Sequence, residues 1–221
     1  RSASIARDAC SIRSADRLRL GLPDAIWSRI AASVCAVDRD RRALAPKSPW
    51  KRMPKIAVPT AGPLFAKFVI DHDEWHTGSS VTDLTAGLSM TAGSRFVDVE
   101  LAMSNPLDQV AISMARHPGV ELLRGDMDVP FRTWTYVASF SRQSSLGDAI
   151  GTAVLFRRMH LVEQTKDDHH HVTLLGPSGN SLQYAFAAFW GGEENGVSTG
   201  DELRLALERE IERQNLEPRV R

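Results

Sequence analysis

Two consecutive stretches of the sequence alternate apolar and polar residues with a period of two, and this alternation constrains the fold most. In VTDLTAGLSM, every second residue from Leu84 to Met90 is apolar. In RFVDVELAMS, every second residue from Val97 to Met103 is apolar. Successive side chains of a strand point to opposite faces, so each stretch predicts an antiparallel strand with one buried face. The intervening TAGSR is short and contains Gly93, which predicts a hairpin.

Several other stretches have the length and composition of strands. They lie at 64–70, 109–116, 132–140, 150–157, 170–175 and 182–190. Between the last two, GPSGN has the residues of a tight turn and predicts a second hairpin. About eight short strands at close intervals favour a mostly β fold, an antiparallel β-sandwich, over alternating βαβ units.

One helix is predicted near the end of the chain, over 200–214. Thr199 followed three residues later by Glu202 is a capping box, which marks a helix N-terminus. Leu203, Leu207 and Ile211 then repeat every four residues, and the remaining positions are mostly charged. This spacing predicts a C-terminal α-helix that packs one apolar stripe on the sandwich.

Residues 1–60 differ in composition from the rest of the chain. They contain thirteen Lys and Arg against five Asp and no Glu, and the first glutamate is Glu74. The stretch GLPDAIWSRIAASVCAV predicts one helix, because Ile26, Ile30 and Val34 are spaced by four. A proline-rich, charged stretch typical of a linker follows it. The segment is either a basic arm for an anionic partner or a poorly structured or non-native segment; we adopt the second interpretation, with the sandwich domain at 61–221.

The composition of the whole chain narrows the function classes. The formal net charge is zero, with 43% hydrophobic and 24% charged residues, which does not favour nucleic-acid or membrane-surface binding. No apolar run approaches the roughly 18 residues of a membrane span. The sequence has no P-loop, no G-x-G-x-x-G, no G-x-S-x-G and no C-x-x-C, so no cofactor is predicted. The oligomeric state is left open.

The order of the motifs is more specific than any one of them. LSMTAGSRFVDVEL is followed by SMARHPG, TWTYVASFSRQSSLGDAIGTAVLF, HHHVTLLG, YAFAAFWGGEENG and the closing helix. This order resembles the domain-of-unknown-function family 4861 over about 62–218, and the chain resembles the C-terminal half of that family's domain. The resemblance implies a β-supersandwich fold in a bacterial protein. It also implies a periplasmic or extracellular location and a link to the degradation of plant polysaccharides.

The resemblance also carries individual residues. The family has a basic residue and a histidine at a strand end, an aromatic strand before a Gln-Ser pair, and an aromatic strand that ends in Trp near a Glu. It usually has Asn-His before an apolar strand, where this sequence has His170 and His171, so the amide is missing. The remaining matches are Arg116, His117, Trp134, Tyr136, Gln143, Ser144, Trp190 and either Glu193 or Glu194.

The run of three histidines admits three interpretations. On a strand, His169 and His171 share one face about 6.6 Å apart, and His170 points to the other. The pair could bind a metal if His117, His160 or Glu193 supplied a third ligand. The run could instead be a solvated loop end, or His171 could act alone. We adopt the last interpretation, with no metal.

Acid–base chemistry on a saccharide defines the catalytic candidates. A lyase that acts on a uronate needs a base for the C5 proton and a cation beside the carboxylate. A glycosidase needs two facing carboxylates. The candidates are therefore His117, His171 and Glu193.

The candidate substrate-binding residues are cations, aromatic rings and one amide. Tyr184, Phe186 and Trp190 share one parity, which is typical of core residues, whereas Trp134 and Tyr136 are expected on a wet concave face. The full set is Arg116, Arg132, Trp134, Tyr136, Gln143 and Trp190.

These residues lead to a functional expectation that rests on the resemblance. We expect a carbohydrate-active protein that acts on plant cell-wall saccharides, with uronate-containing pectin fragments as ligands, by lyase- or hydrolase-type cleavage. The alternatives are a non-catalytic saccharide-binding or structural module and a truncated, inactive fragment.

Overall fold

The protein is mostly β, with two antiparallel sheets and one C-terminal helix. The computed structural model describes residues 33–36, 54–77, 80–117, 119–127, 133–142 and 147–216. The first sheet has four strands in the order β1 (Ser33–Ala36), β6 (Val110–Ala115), β11 (His170–Leu175) and β10 (Leu161–Lys166). The second has eight strands in the order β2 (Lys55–Ala61), β3 (Phe65–Thr77), β4 (Ser80–Thr91), β5 (Phe96–Met103), β12 (Ser181–Trp190), β9 (Ala149–Arg157), β8 (Trp134–Arg142) and β7 (Glu121–Arg124).

The two sheets pack face to face around one apolar core, as expected for a sandwich. Val110, Ile112 and Met114, which alternate along β6, belong to the same buried cluster as Phe156 and Leu182 of the larger sheet. Both partners supply every second residue, because only one face of each strand points inward. The period-two pattern of the sequence is therefore the pattern of this core.

Helix α1 (Gly200–Leu216) covers the opposite face of the eight-stranded sheet and makes a third layer. Its capping box is confirmed: the Glu202 backbone N–H donates to Thr199 Oγ1 at 3.2 Å, and Glu202 accepts from the Thr199 N–H at 3.2 Å. Leu203 packs where a Cβ on Gly151 would lie 2.8 Å from it, so the glycine allows the helix to approach β9 closely.

One of the two predicted hairpins is confirmed and the other is wrong. TAGSR joins the paired strands β4 and β5, and Gly93 has the positive φ of 81° that such a turn favours. GPSGN follows β11 and precedes β12, but these strands belong to different sheets. The turn is therefore a crossover between sheets, because β12 pairs with β5 and β9 instead.

One strand lies within the segment 1–60, and a second begins in it and ends at Ala61. Residues Ser33–Ala36 form β1, which pairs with β6, so the helix predicted over GLPDAIWSRIAASVCAV is wrong at these four residues. The rest of that helix lies outside the described residues. Strand β2 begins at Lys55, so regular structure starts before the boundary at residue 61. The poorly structured or non-native character of the segment stays a prediction.

No helix in the described part of the chain is both long and apolar enough to cross a membrane.

Candidate functional site

Two contacts between the sheets fix their alignment and show which strand ends meet. Thr152 Oγ1 on β9 lies 3.9 Å from Met114 Sδ on β6, and Arg124 Nε on β7 donates to Gln164 Oε1 on β10 at 2.8 Å. The strand pairings show how far apart these two contacts are along the strands. In each sheet the separation is two residues, which is one inward-facing position. The C-terminal end of β6 therefore lies over the N-terminal end of β9 and the C-terminal end of β12.

This alignment brings several of the predicted site residues to one end of the sandwich. His171 pairs with Met114, Arg116 follows β6, and Trp190 pairs with Ile150 at the end of β12. We call this end, marked by Arg116, His171, Ile150 and Trp190, the mouth. It is the candidate functional site.

His171 faces the interior of the sandwich, on the same side of β11 as Thr173 and Leu175. Its Nε2 atom is buried and neither donates nor accepts a hydrogen bond among the described residues. Burial lowers the pKa of His171 below 6.5, the charges of Arg116, Arg124 and Lys166 lower it further, and Asp167 opposes them. The imidazole is therefore neutral near pH 7, the form that can accept a proton.

The two preceding histidines are held by a local turn. Asp167 Oδ1 accepts the backbone N–H groups of His169 at 2.7 Å and His170 at 2.6 Å. Burial alone would raise the pKa of Asp167, but these hydrogen bonds and the nearby His170 ring bring it below its ordinary value. The carboxylate is thus committed to the start of β11, which accounts for Asp167 in this stretch.

The geometry does not support the metal interpretation of the histidine run. The described residues contain no group of three His, Cys, Asp or Glu that could hold a metal ion. His160 donates through Nδ1 to the Gly176 carbonyl at 2.7 Å. Gly176 is five residues past His171, about 16 Å along an extended strand, so His160 belongs to the other end of the sandwich.

His117 and Arg116 lie in the connection after β6. The Arg116 N–H donates to the His169 carbonyl at 2.7 Å, and its guanidinium donates to the Asp167 carbonyl at 3.1 Å. His117 is half-buried, and its carbonyl accepts the Val120 N–H at 3.3 Å, which closes a turn. Arg116 is among the charges that act on His171, whereas His117 is not.

Trp190 and Glu193 lie together at the end of β12 and take different roles. Trp190 remains 42% exposed, and its Nε1 donates to Asp148 Oδ2 at 3.2 Å. Glu193 pairs with Arg95 at 3.1 Å and also accepts the Trp190 N–H at 3.3 Å. Trp190 is thus available to a ligand, whereas Glu193 is engaged in holding the loop after β12.

Trp134 and Tyr136 do not lie on a wet face, contrary to the expectation from the sequence. They are 7% and 1% exposed, in the core beneath helix α1, and Arg157 lies over the Trp134 ring at 5.5 Å. Burial, reinforced by Glu208, raises the pKa of Tyr136 to about 12. Helix α1 covers the face of β8 that was expected to be open. Arg132 and Gln143 lie outside the described residues.

The sequence did not single out Arg124, Gln164 or Lys166, although all three lie close to His171. Arg124 and Gln164 are on β7 and β10, the edge strands on one side of the sandwich. Lys166 pairs with His171 across β10 and β11. A basic residue in the short ELLRG stretch carries no signal of its own, because its neighbour Gln164 is forty residues away along the chain.

Comparison with known proteins identifies one matching family. The model of a family described as Domain of unknown function (DUF4861) matches residues 50–220. Neither the curated proteins nor the solved structures contain a match.

Proposed function

We propose that this chain, which belongs to the DUF4861 family, is a carbohydrate-active protein. Its functional site is the mouth of the sandwich. Its substrates are plant cell-wall saccharides, with uronate-containing pectin fragments favoured, and its reaction is lyase- or hydrolase-type cleavage. The observation that supports this most is His171, a neutral imidazole beside several cations, whose buried Nε2 has no hydrogen bond to any residue that the structure describes. We propose a periplasmic or extracellular location on the family resemblance alone.

Lyase chemistry fits the residues of the mouth better than hydrolysis. In a β-elimination on a uronate, a base removes the C5 proton, the C4–O bond breaks, and a C4–C5 double bond forms. The leaving oxygen takes a proton from water, so no oxidant or reductant is needed. His171 has the protonation state of the base, and Arg116 offers a charge for the carboxylate. Hydrolysis needs a second free carboxylate, whereas Glu193 is already paired with Arg95.

Trp190 supplies the second requirement, a surface for a sugar ring. Its indole is partly exposed and is fixed by Asp148, so it can stack without losing much side-chain freedom. Strands β12 and β7 are separated by three strand spacings, about 14 Å. A ligand that touches both Trp190 and the cations near β7 and β10 is therefore longer than one sugar ring, which favours an oligosaccharide.

A non-catalytic saccharide-binding module is the second candidate. The observation that favours it is that Nε2 of His171 is buried rather than open to solvent. A module needs the stacking ring and the cations but not a base. The two candidates therefore differ in what happens to the bound saccharide.

An oligosaccharide panel separates these candidates. Oligogalacturonides, their methyl esters and neutral galactan fragments are incubated with the full chain. Ultraviolet absorbance of the unsaturated product reports a lyase, and new reducing ends without that absorbance report a hydrolase. Calorimetric binding without either product identifies a module. The absence of cleavage and of binding across the panel contradicts the proposed function.

A further inference from the structure

We propose that Arg124, held in place by Gln164, forms with Arg116 and Lys166 a binding site for a carboxylate or similar small oxyanion beside His171. The identification of the anion as a uronate rests on the proposed function, but the anion site itself does not. Arg116 was expected from the sequence, whereas Arg124, Gln164 and Lys166 were neither expected from it nor carried by the family resemblance.

Arg124 is oriented by one of its nitrogen atoms and keeps the others available. It lies on the edge strand β7 and reaches across the sandwich, where its Nε donates to Gln164 Oε1 at 2.8 Å. Its two terminal NH2 groups make no hydrogen bond or ion pair with the described residues. A guanidinium fixed through Nε presents a planar pair of donors, the geometry that binds a carboxylate through two parallel hydrogen bonds.

The hydrogen-bond partner of Arg124, Gln164, is neutral, so the positive charge of Arg124 is retained. A Gln side chain accepts the hydrogen bond through its amide oxygen but carries no charge, whereas a Glu would offset the guanidinium. Arg116 is held in the same way, because its guanidinium donates to the backbone carbonyl of Asp167 at 3.1 Å. Both arginines are therefore positioned without being neutralised.

The local balance of charge around His171 is positive. Burial and three cations lower its pKa, and among the described residues Asp167 is the one carboxylate that opposes them. That carboxylate already accepts the N–H groups of His169 and His170. Three cations and one committed acid lie beside a buried nitrogen that has no partner in the described part of the chain, and this arrangement favours an anionic ligand that also offers a hydrogen bond.

The pKa of His171 provides a readout that does not depend on catalysis. A bound anion favours the protonated ring, so galacturonate should raise the pKa measured by NMR, with the signal assigned through His171→Gln. The uncharged methyl ester should leave this pKa unchanged. Sulfate tests whether the site takes oxyanions in general.

Arg124→Gln tests the assignment of the anion-binding residue. Loss of a charged hydrogen bond should weaken galacturonate binding by about tenfold or more. Arg209→Gln is the matched control, because it removes the same charge from an exposed position on helix α1 and should leave the affinity unchanged. Circular dichroism confirms that both variants are folded.

Two substitutions at Gln164 separate orientation from charge. Gln164→Leu removes the hydrogen bond and should weaken binding several-fold, with Arg124 still charged. Gln164→Glu keeps the hydrogen bond but neutralises the site and should weaken binding as much as Arg124→Gln. Wild-type affinity in Gln164→Glu would contradict the role of the neutral partner.

The possible results distinguish a failure of the anion site from a failure of the proposed function. A rise in the pKa of His171 with galacturonate, without cleavage of any oligosaccharide, supports the site and rejects the cleavage. A rise with sulfate but not galacturonate supports an oxyanion site and rejects the uronate. An equal response to the methyl ester, no response to either anion, or full binding by Arg124→Gln overturns the inference.

Discussion

Trp134 and Trp190 lie on opposite faces of the eight-stranded sheet and should respond differently to truncation. Trp134 is 7% exposed beneath helix α1, so Trp134→Ala should lower the free energy of unfolding by about 3–5 kcal/mol. The Arg157 guanidinium over its ring, at 5.5 Å, adds about 0.5–1 kcal/mol to that loss. Trp190 is 42% exposed and buries about six tenths as much surface as Trp134, so Trp190→Ala should cost about 2–3 kcal/mol.

Urea unfolding followed by circular dichroism measures both losses, and calorimetry measures binding of an oligogalacturonide. Trp134→Ala should remain folded without denaturant if the domain has the usual stability of about 5–15 kcal/mol, and Trp134→Phe serves as the milder variant. Trp190→Ala should lose binding, whereas Trp134→Phe should keep it. An equal or larger stability loss at Trp190, or unchanged binding by Trp190→Ala, would refute this division into core and ligand surface.

Three further outcomes follow from individual contacts. His171 has a lowered pKa in the folded chain, so its contribution to stability is present above pH 6.5 and is lost as pH falls through the folded pKa. The difference in unfolding free energy between wild type and His171→Gln should therefore shrink as pH falls through this range. A difference that does not change with pH would contradict this expectation. Glu193→Gln should retain any cleavage activity and lose no more than about 1 kcal/mol, since it removes a partly exposed pair with Arg95; a large loss of kcat would restore its catalytic role. Gly151→Ala should destabilise by about 1–3 kcal/mol because its Cβ would lie 2.8 Å from Leu203, and an unchanged urea midpoint would show that the helix does not pack there.

The strands that the sequence did not predict are the edges of the two sheets. β1 and β10 border the four-stranded sheet, and β2 and β7 border the eight-stranded sheet. An edge strand pairs on one side only and buries little, so it needs no alternation of apolar residues. β2 contains Pro59 and is exposed throughout, and β7 has four residues. Most of the central strands were predictable because they bury at least one face, although β3 buries only Trp75 among its described residues.

The alternation of residues along a strand does not show whether a second layer covers its other face. β8 has buried residues of both parities, since Val137 faces the smaller sheet and Trp134 faces helix α1. Alternation separates the two faces but does not say which is covered. The prediction of an open face for Trp134 and Tyr136 therefore failed, although the helix that covers them was itself predicted correctly.

The candidate site was predictable where it depended on parity along one strand. The assignment of His171 to the face opposite His170 is confirmed, because Thr173 and Leu175 share the inward face with it. Arg124 of β7 was not predictable, since it approaches His171 only after the two sheets are stacked. Lys166 reaches His171 through the pairing of β10 with β11, and neither β7 nor β10 carries a motif for this site.

The most direct measurement is a crystal structure of the chain with a bound oligogalacturonide. The expected result is a carboxylate held by the guanidinium groups of Arg116 and Arg124, close to His171, with a sugar ring on Trp190. A ligand bound elsewhere, or a mouth that stays empty at saturating concentration, would contradict the assignment of this end of the sandwich as the functional site.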